Sequence, residues 1–344
     1  MQENFRLVEL SEKDFETFVN SRKPNNFLQS VEMFRRYKAA GREAYLLGLS
    51  DSRAGNEKTA LEVAALVVSL GTSKGGKIFS APGGPILDFS KKNAKELLES
   101  FLAAVKPFLK KKKGMTFQFS PNVVVKPGET APLVKGTKLL GEYVQCKWIS
   151  VLNLSNFSSE DELFHSFRKG TRYSIKYTDT RFHLKVRELS RDELKILKSL
   201  AEKAGEKHGF KDQSLSYYEE MFDAFGEKLK VLAAFYEETP VAAAMFVLYG
   251  DEVVYLYSGA DPEYNKYAGS YALQWEMLKF ALKSGFPRYN FYGVRPEPGN
   301  GVFEFKNGFR AEVEELWGTY ILPLSPLGKL VVARKKFHKF GEVA

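Results

Sequence analysis

The chain has one cysteine, Cys146, among its 344 residues. No disulfide can form within it, and no cysteine-rich zinc site can be assembled. Cys146 sits between Val144 and Trp148, a stretch that reads as a strand, so a core or half-buried thiol is expected rather than a nucleophile. Histidine is nearly as scarce. His165, His183, His208 and His338 are scattered, with no HExxH motif and no paired spacing, so no metal is expected. Long hydrophobic runs are missing too. The stretch 242–249 is far too short to cross a bilayer, and the opening Met1-Gln2-Glu3-Asn4-Phe5-Arg6 does not read as a signal peptide. A cytoplasmic protein is expected, with the inner face of the membrane open as a peripheral location.

Basic residues and aromatics are plentiful. Lys and Arg number 51 against 42 Asp and Glu, a net charge of +9. That excess suits a polyanionic partner: nucleic acid, nucleotide, pyrophosphate or an anionic membrane surface. Aromatics make up 14% of the chain, which favours sheets with aromatic faces and a site able to grip flat groups. The hydrophobic share of 44% and charged share of 27% are those of a globular protein long enough for two domains.

The first half alternates helix and strand patterns. Residues 28–40 read as a helix, 44–49 and 61–70 as strands around a Gly55-Asn56 turn, 94–109 as a helix and 116–120 as a strand. Residues 78–87 are interrupted by Pro82-Gly83-Gly84-Pro85, predicted to be a loop without regular pairing. The second half repeats the order. Residues 160–175, 191–205, 217–225 and 270–284 read as helices; 229–236, 241–249, 253–258 and 288–294 read as strands. The fold class is therefore mixed α/β in two similar domains, 1–150 and 151–324, with a basic C-terminal helix over 325–344.

Residues 253–320 carry the chemistry-bearing pattern. Strand alternation predicts Tyr255 and Tyr257 on one face. Lys266-Tyr267-Ala268-Gly269-Ser270 then opens a helix, capped by Gly269 or Ser270. Lys266, Gly269 and Ser270 thus form an anion site at a helix N-terminus; equally, Gly269 simply lets helix and strand pack closely. Val302–Phe309, read as a strand, puts Phe303 and Phe305 on one side and Glu304 and Lys306 on the other. Locally, a strand lysine is more often a solvated face. Beside a reacting carbonyl it would stabilise negative charge.

Three segments resemble the FemABX transferases: Tyr264–Met277, Arg288–Gly293 and Gly301–Phe309. Gln29–Lys38, Phe79–Asp88, Arg168–Lys176 and Gly205–Phe210 are similar to landmarks elsewhere in that family. The resemblance implies two tandem GNAT-like domains. It also implies a compact member without the coiled-coil arm, since only Glu237-Glu238-Thr239 joins the relevant strands. The implied activity is transfer of Gly, Ala or Ser from aminoacyl-tRNA to the stem-peptide lysine of lipid II or UDP-MurNAc-pentapeptide. No cofactor is implied, and a monomer is expected.

By the same resemblance Lys306 is catalytic and contacts the aminoacyl-tRNA end, Tyr257, Tyr217 and Tyr255 line the precursor site, and Tyr37 or Lys38 meets precursor phosphate. The base stays open between Tyr257, a substrate group and water, which makes Tyr257 the second catalytic candidate, and the anion site of Lys266, Gly269 and Ser270, with Phe305, is the candidate for the tRNA end. Gln213 and Ser120 stand where the related compact enzyme has arginine and aspartate, so phosphate binding at the first and a base role at the second lose support. Two alternatives stay open. An acyl-CoA-dependent GNAT enzyme would want a small residue where Tyr271 stands. A non-catalytic tRNA- or precursor-binding protein would have no need of Lys306.

Overall fold

The computed structural model describes residues 5–23, 26–51, 61–73, 76–141, 144–208 and 212–335. The Gly55-Asn56 turn, Gly209-Phe210 and the basic stretch from Lys336 onward lie outside the described residues. The chain divides into two compact units, residues 1–147 with 315–344, and residues 148–314.

The first unit begins with β1 (Phe5–Glu9), α1 (Glu12–Asn20) and α2 (Val31–Ala39). Ser11 and Ser30 start the two helices by accepting the N–H groups of Asp14 and Met33. The predicted helix over 28–40 is thereby shortened, and a 3-10 turn over Phe27–Gln29 precedes it. Strands β2 (Ala44–Asp51), β3 (Leu61–Ser73), β4 (Gly76–Gly83) and β5 (Ile86–Leu87) lead to α3 (Ala94–Lys111), β6 (Gly114–Pro121) and β7 (Lys138–Gly141). Leu97, Leu98, Phe101, Leu102, Val105 and Leu109 of α3 recur at helical spacing and are buried in the core with the sheet residues. The Pro82–Pro85 stretch departs from its predicted loop. β4 stays paired through Gly83, because buried Gln29 donates to the Pro82 carbonyl (2.8 Å) and accepts from Leu66 N–H (2.8 Å). Val144–Lys147 is not a strand; Cys146 is half-buried in a bend.

The second unit opens with β8 (Trp148–Asn153), which spans the expected domain boundary at residue 150. The helix predicted over 160–175 is two, α4 (Glu160–Ser166) and α5 (Lys169–Thr180), separated by extended Phe167 and Arg168. Next come β9 (Lys185–Glu188), α6 (Leu194–His208), α7 (Leu215–Phe225), β10 (Leu229–Tyr236), β11 (Thr239–Tyr249) and β12 (Glu252–Ala260). Only Glu237 and Glu238 turn between β10 and β11, and no coiled-coil arm is present there. The unit continues through α8 (Gly269–Lys283), β13 (Arg288–Gly293), α9 (Gly301–Gly308) and β14 (Glu312–Glu315). The sheet order is β14-β8-β13-β12-β11-β10-β9. On one face Leu273, Met277, Leu278 and Ala281 of α8 pack on Ala242, Ala244, Phe246 and Val253. Against β12, α6 approaches to backbone distance: a Cβ on Gly259 would lie 2.2 Å from Ala201 N.

The predicted strand over 302–309 is helix α9. Asn300 accepts the Phe303 N–H (3.0 Å) and starts it. Phe305 and Phe309 then fall one turn apart and both pack on Tyr271. A short apolar run does not by itself separate helix from strand.

The last strand, β15 (Thr319–Pro323), lies in the first sheet, whose order is β1-β2-β3-β4-β6-β15-β7, with β5 beside β3. Residues 315–324, assigned from sequence to the second domain, therefore complete the first unit, followed by α10 (Pro326–Arg334). Among the described residues no helix is long and apolar enough to cross a membrane.

Candidate active site

The second sheet opens at its parallel pair. β12 and β13 are paired from Glu252↔Arg288 to Val254↔Asn290 and no further. One residue on, β12 carries a bulge. Tyr255 lies opposite Phe246 and Tyr257 opposite Met245, which leaves Leu256 as the extra residue. A bulge reverses the side-chain alternation, so Tyr255 and Tyr257 point to opposite faces, not to the same face. Tyr255 stacks on Phe246 (5.6 Å between centroids) and donates to Ser258 Oγ (2.6 Å). Tyr257 turns towards α7, where its hydroxyl donates to that of Tyr217 (3.1 Å) and its ring meets Tyr218 edge-on. The structure thus brings Tyr217 and Tyr257 together and separates Tyr255 from them.

The end of β13 supplies the opposite side of the opening. Tyr292 has a left-handed backbone (φ 62°), with its N–H held by Asn290 Oδ1 (2.8 Å). A bulky residue with positive φ is costly and persists only where its surroundings impose it. Lys306, on α9, is only 5% exposed. Its Nζ donates to the Gly293 carbonyl and, at 3.4 Å, to that of Tyr292. These dipoles offset part of the cost of burying an ammonium. Burial, first, and then the neighbouring Tyr217 hydroxyl push the Tyr257 pKa well up, with a smaller contribution from Tyr292. Tyr257 is therefore a neutral hydroxyl at neutral pH.

The start of α8 differs from its expected form. Ala268, in a left-handed conformation (φ 56°), is the N-cap, and no side chain caps the helix. A Cβ on Gly269 would come within 2.9 Å of Val241 Cγ2 and 3.0 Å of Ala242 Cβ, so Gly269 is required for close packing of α8 on β11. Gly269, Ser270 and Phe305 do share a cleft of about 180 Å³ with Asp261 and Tyr271. Lys266 is not part of its lining. It lies on a 3-10 turn (Pro262–Tyr267) with its ammonium over the Tyr267 ring (5.0 Å). Lys306 is also absent from that lining, although its neighbour Phe305 belongs to it.

In the first unit, Tyr37 is 9% exposed under the Arg36 guanidinium (5.4 Å), whereas Lys38 is exposed at the end of α2. Ser120 is buried and hydrogen-bonded to Thr319 Oγ1 (2.8 Å). In the second unit, the Gln213 carbonyl accepts from Lys198 Nζ (2.7 Å), and Asp212 accepts from the Tyr218 hydroxyl (2.5 Å). Tyr292 and Tyr218 escape the sequence reading. The only signal for Tyr292 is Asn290 two residues earlier, a side chain able to hold a backbone N–H out of strand geometry.

Known proteins extend this picture. The chain is similar to aminoacyltransferase FemA of Staphylococcus epidermidis, 24% identical over 428 aligned positions that cover 97% of this chain and all of that protein. Its fold resembles the crystal structure of FemX, with a TM-score of 0.79 at 19% identity over 95% of this chain and 100% of the other. It also resembles a tandem GNAT protein from the clavulanic acid biosynthesis pathway, with a TM-score of 0.59 at 10% identity over 94% and 99% of the two chains. At these identities the structures establish fold alone: mixed α/β, of the tandem GNAT kind. The FemAB family pattern matches residues 10–131, 135–237 and 230–333, and across that nearly complete span this chain belongs to the FemAB family.

Proposed function

We propose that this chain is an aminoacyltransferase that takes an amino acid from aminoacyl-tRNA and joins it to the stem-peptide lysine of a peptidoglycan precursor, building the interpeptide bridge. The observation that carries this reading is the end-to-end likeness to aminoacyltransferase FemA. The transferred residue is Gly, Ala or Ser, and the acceptor is lipid II or UDP-MurNAc-pentapeptide. Tyr37, Lys38 and Tyr217 are assigned to the acceptor, whereas Tyr255, turned to the opposite face and packed on Phe246, supports the sheet beneath it.

The donor ester is already activated. The acceptor amine, with an ordinary pKa of about 10.4, attacks its carbonyl carbon after losing a proton. A C–N bond forms, the bond from carbonyl carbon to ribose oxygen breaks, and that oxygen takes up a proton. Positioning and charge stabilisation are the main tasks. Lys306 supplies a buried positive charge at the opening between β12 and β13. Tyr257, kept protonated, turns its one O–H proton from Tyr217 to developing negative charge and serves as a donor, not as a phenolate base. On α10, exposed Leu327 and Leu330 stand beside Lys329 and Arg334, which supports peripheral contact with an anionic membrane surface.

The test is direct. Purified protein is incubated with a charged tRNA pool and lysine-bearing precursor, with acetyl-CoA in a parallel reaction, and the products are weighed. Precursor heavier by one amino acid residue is expected. An acetylated product, with charged tRNA ignored, would overturn the proposal.

A further inference from the structure

We infer that an aromatic cleft on the second unit, beside the start of α8, stacks the unpaired bases at the 3′ end of the donor RNA. This rests on the aminoacyl-tRNA reading above. The cleft holds about 420 Å³, within the range of small-ligand pockets. Two tyrosine pairs line it. Tyr173 and Tyr177 lie with centroids 4.0 Å apart and rings tilted by 30°, and Tyr236 and Tyr267 lie at 4.1 Å and 32°. The Arg181 guanidinium sits 5.5 Å from the Tyr177 ring, and the Lys266 ammonium 5.0 Å from that of Tyr267.

Flat rings interleaved with cations are what a single strand of nucleic acid needs. Every base has a face to stack, and every phosphate a charge to meet. Among the described residues no carboxylate lines the cleft, although Glu237 follows the lining Tyr236 in sequence. Tyr173 is 56% exposed, a large ring left facing water on α5. A membrane-binding face would instead present leucine, phenylalanine or tryptophan side chains in a continuous patch; here four of the lining side chains are tyrosines with polar tips. Ala268 lines both this cleft and the smaller one holding Ser270 and Phe305. Bases stacked on the outer faces of the tyrosine pairs would thus extend a 3′ terminus past the start of α8 towards Phe305, next in sequence to Lys306.

The experiment uses the full chain and two fluorescent RNA hairpins, one with a short unpaired 3′ tail and one blunt. Tyr173→Ala should weaken binding of the tailed hairpin about tenfold and leave the blunt one unchanged. Tyr173→Phe keeps the ring and should bind like wild type. Arg181→Ala should weaken the tailed hairpin and reduce the salt slope by about one. Unchanged tailed binding in Tyr173→Ala, or equal loss for both hairpins, would overturn the inference. So would loss of phosphatidylglycerol-vesicle binding in that variant with RNA binding intact. If wild type transfers from charged tRNA and Tyr173→Ala keeps its KM for that substrate, the cleft assignment alone fails. If tail-dependent binding is lost in Tyr173→Ala but wild type transfers nothing from charged tRNA, the cleft stands and the proposed function falls.

Discussion

A parallel strand pair runs through each sheet, and the two pairs are built differently. In the first unit β4 and β6 stay together from Ile78↔Thr116 to Gly83↔Pro121. At their end Ser120 is 3% exposed and tied to Thr319. In the second unit β12 and β13 share three pairs and then part. The bulge at Leu256 turns one strand, and the left-handed Tyr292 turns the other. Tyr257, Tyr292 and a buried lysine gather where the backbones separate. One topological element is therefore closed in one unit and open and polar in the other. Backbone irregularity, not a change of fold, marks the position proposed for the chemistry.

The sharpest way to break this comparison is to treat the two ends alike. Lys306→Ala should cost about 3 kcal/mol of transition-state stabilisation, roughly a hundredfold in kcat/KM. Ser120→Ala, at the closed pair, should leave kcat/KM within about threefold of wild type, since one lost neutral hydrogen bond acts on stability, at about 1 kcal/mol. Steady-state kinetics with thermal melts of both variants separate the two effects.

The next effect concerns stability within the paired part of β12. Glu252 is buried, and desolvation pushes its pKa up to about 7, partly opposed by Arg288 and Asn290. A carboxyl whose folded pKa exceeds its unfolded value stabilises the protein in its protonated form. That contribution is complete below about pH 4.5 and is lost as pH rises to 7. Glu252→Gln should therefore be more stable than wild type at pH 8 by about 2–3 kcal/mol and should match it near pH 4. Urea unfolding at the two pH values checks this. Arg288 keeps Glu314 as a partner at 3.0 Å in the variant.

A smaller loss is expected at the opening itself. Tyr257→Phe removes the hydroxyl that donates to Tyr217, and loss of one hydrogen bond to developing charge, about 1.5 kcal/mol, should lower kcat about tenfold. Because the Tyr257 pKa is raised, wild-type kcat should show no limb from its ionisation near pH 10. A phenolate-dependent rise in the pH profile would contradict a donor role.

Much of the architecture is legible in the sequence, because it follows from periodicity. The helix of α8, the strands of β10, β11 and β12 and the short link between β10 and β11 follow from apolar spacing, although Thr239, read as part of that link, already belongs to β11. The site is less legible. Lys306 reads locally as a solvated strand lysine; in α9 the helical turn carries it inward, and Asn300 was the cue for that helix. Tyr255 and Tyr257 obey alternation on paper, yet one inserted residue reverses it, and nothing in Tyr255-Leu256-Tyr257 announces a bulge. Gly269 admits both an anion site and a packing contact by sequence; its 2.9 Å approach to Val241 makes the packing role physical.

Single-turnover transfer measured by rapid quench, with enzyme, charged tRNA and precursor all saturating, isolates bond formation at the opening of the second sheet. A fall of about a hundredfold in that rate for Lys306→Ala, with substrate affinities preserved, is the expected result. A wild-type rate in a folded Lys306→Ala protein would contradict the assignment of the chemistry to that opening.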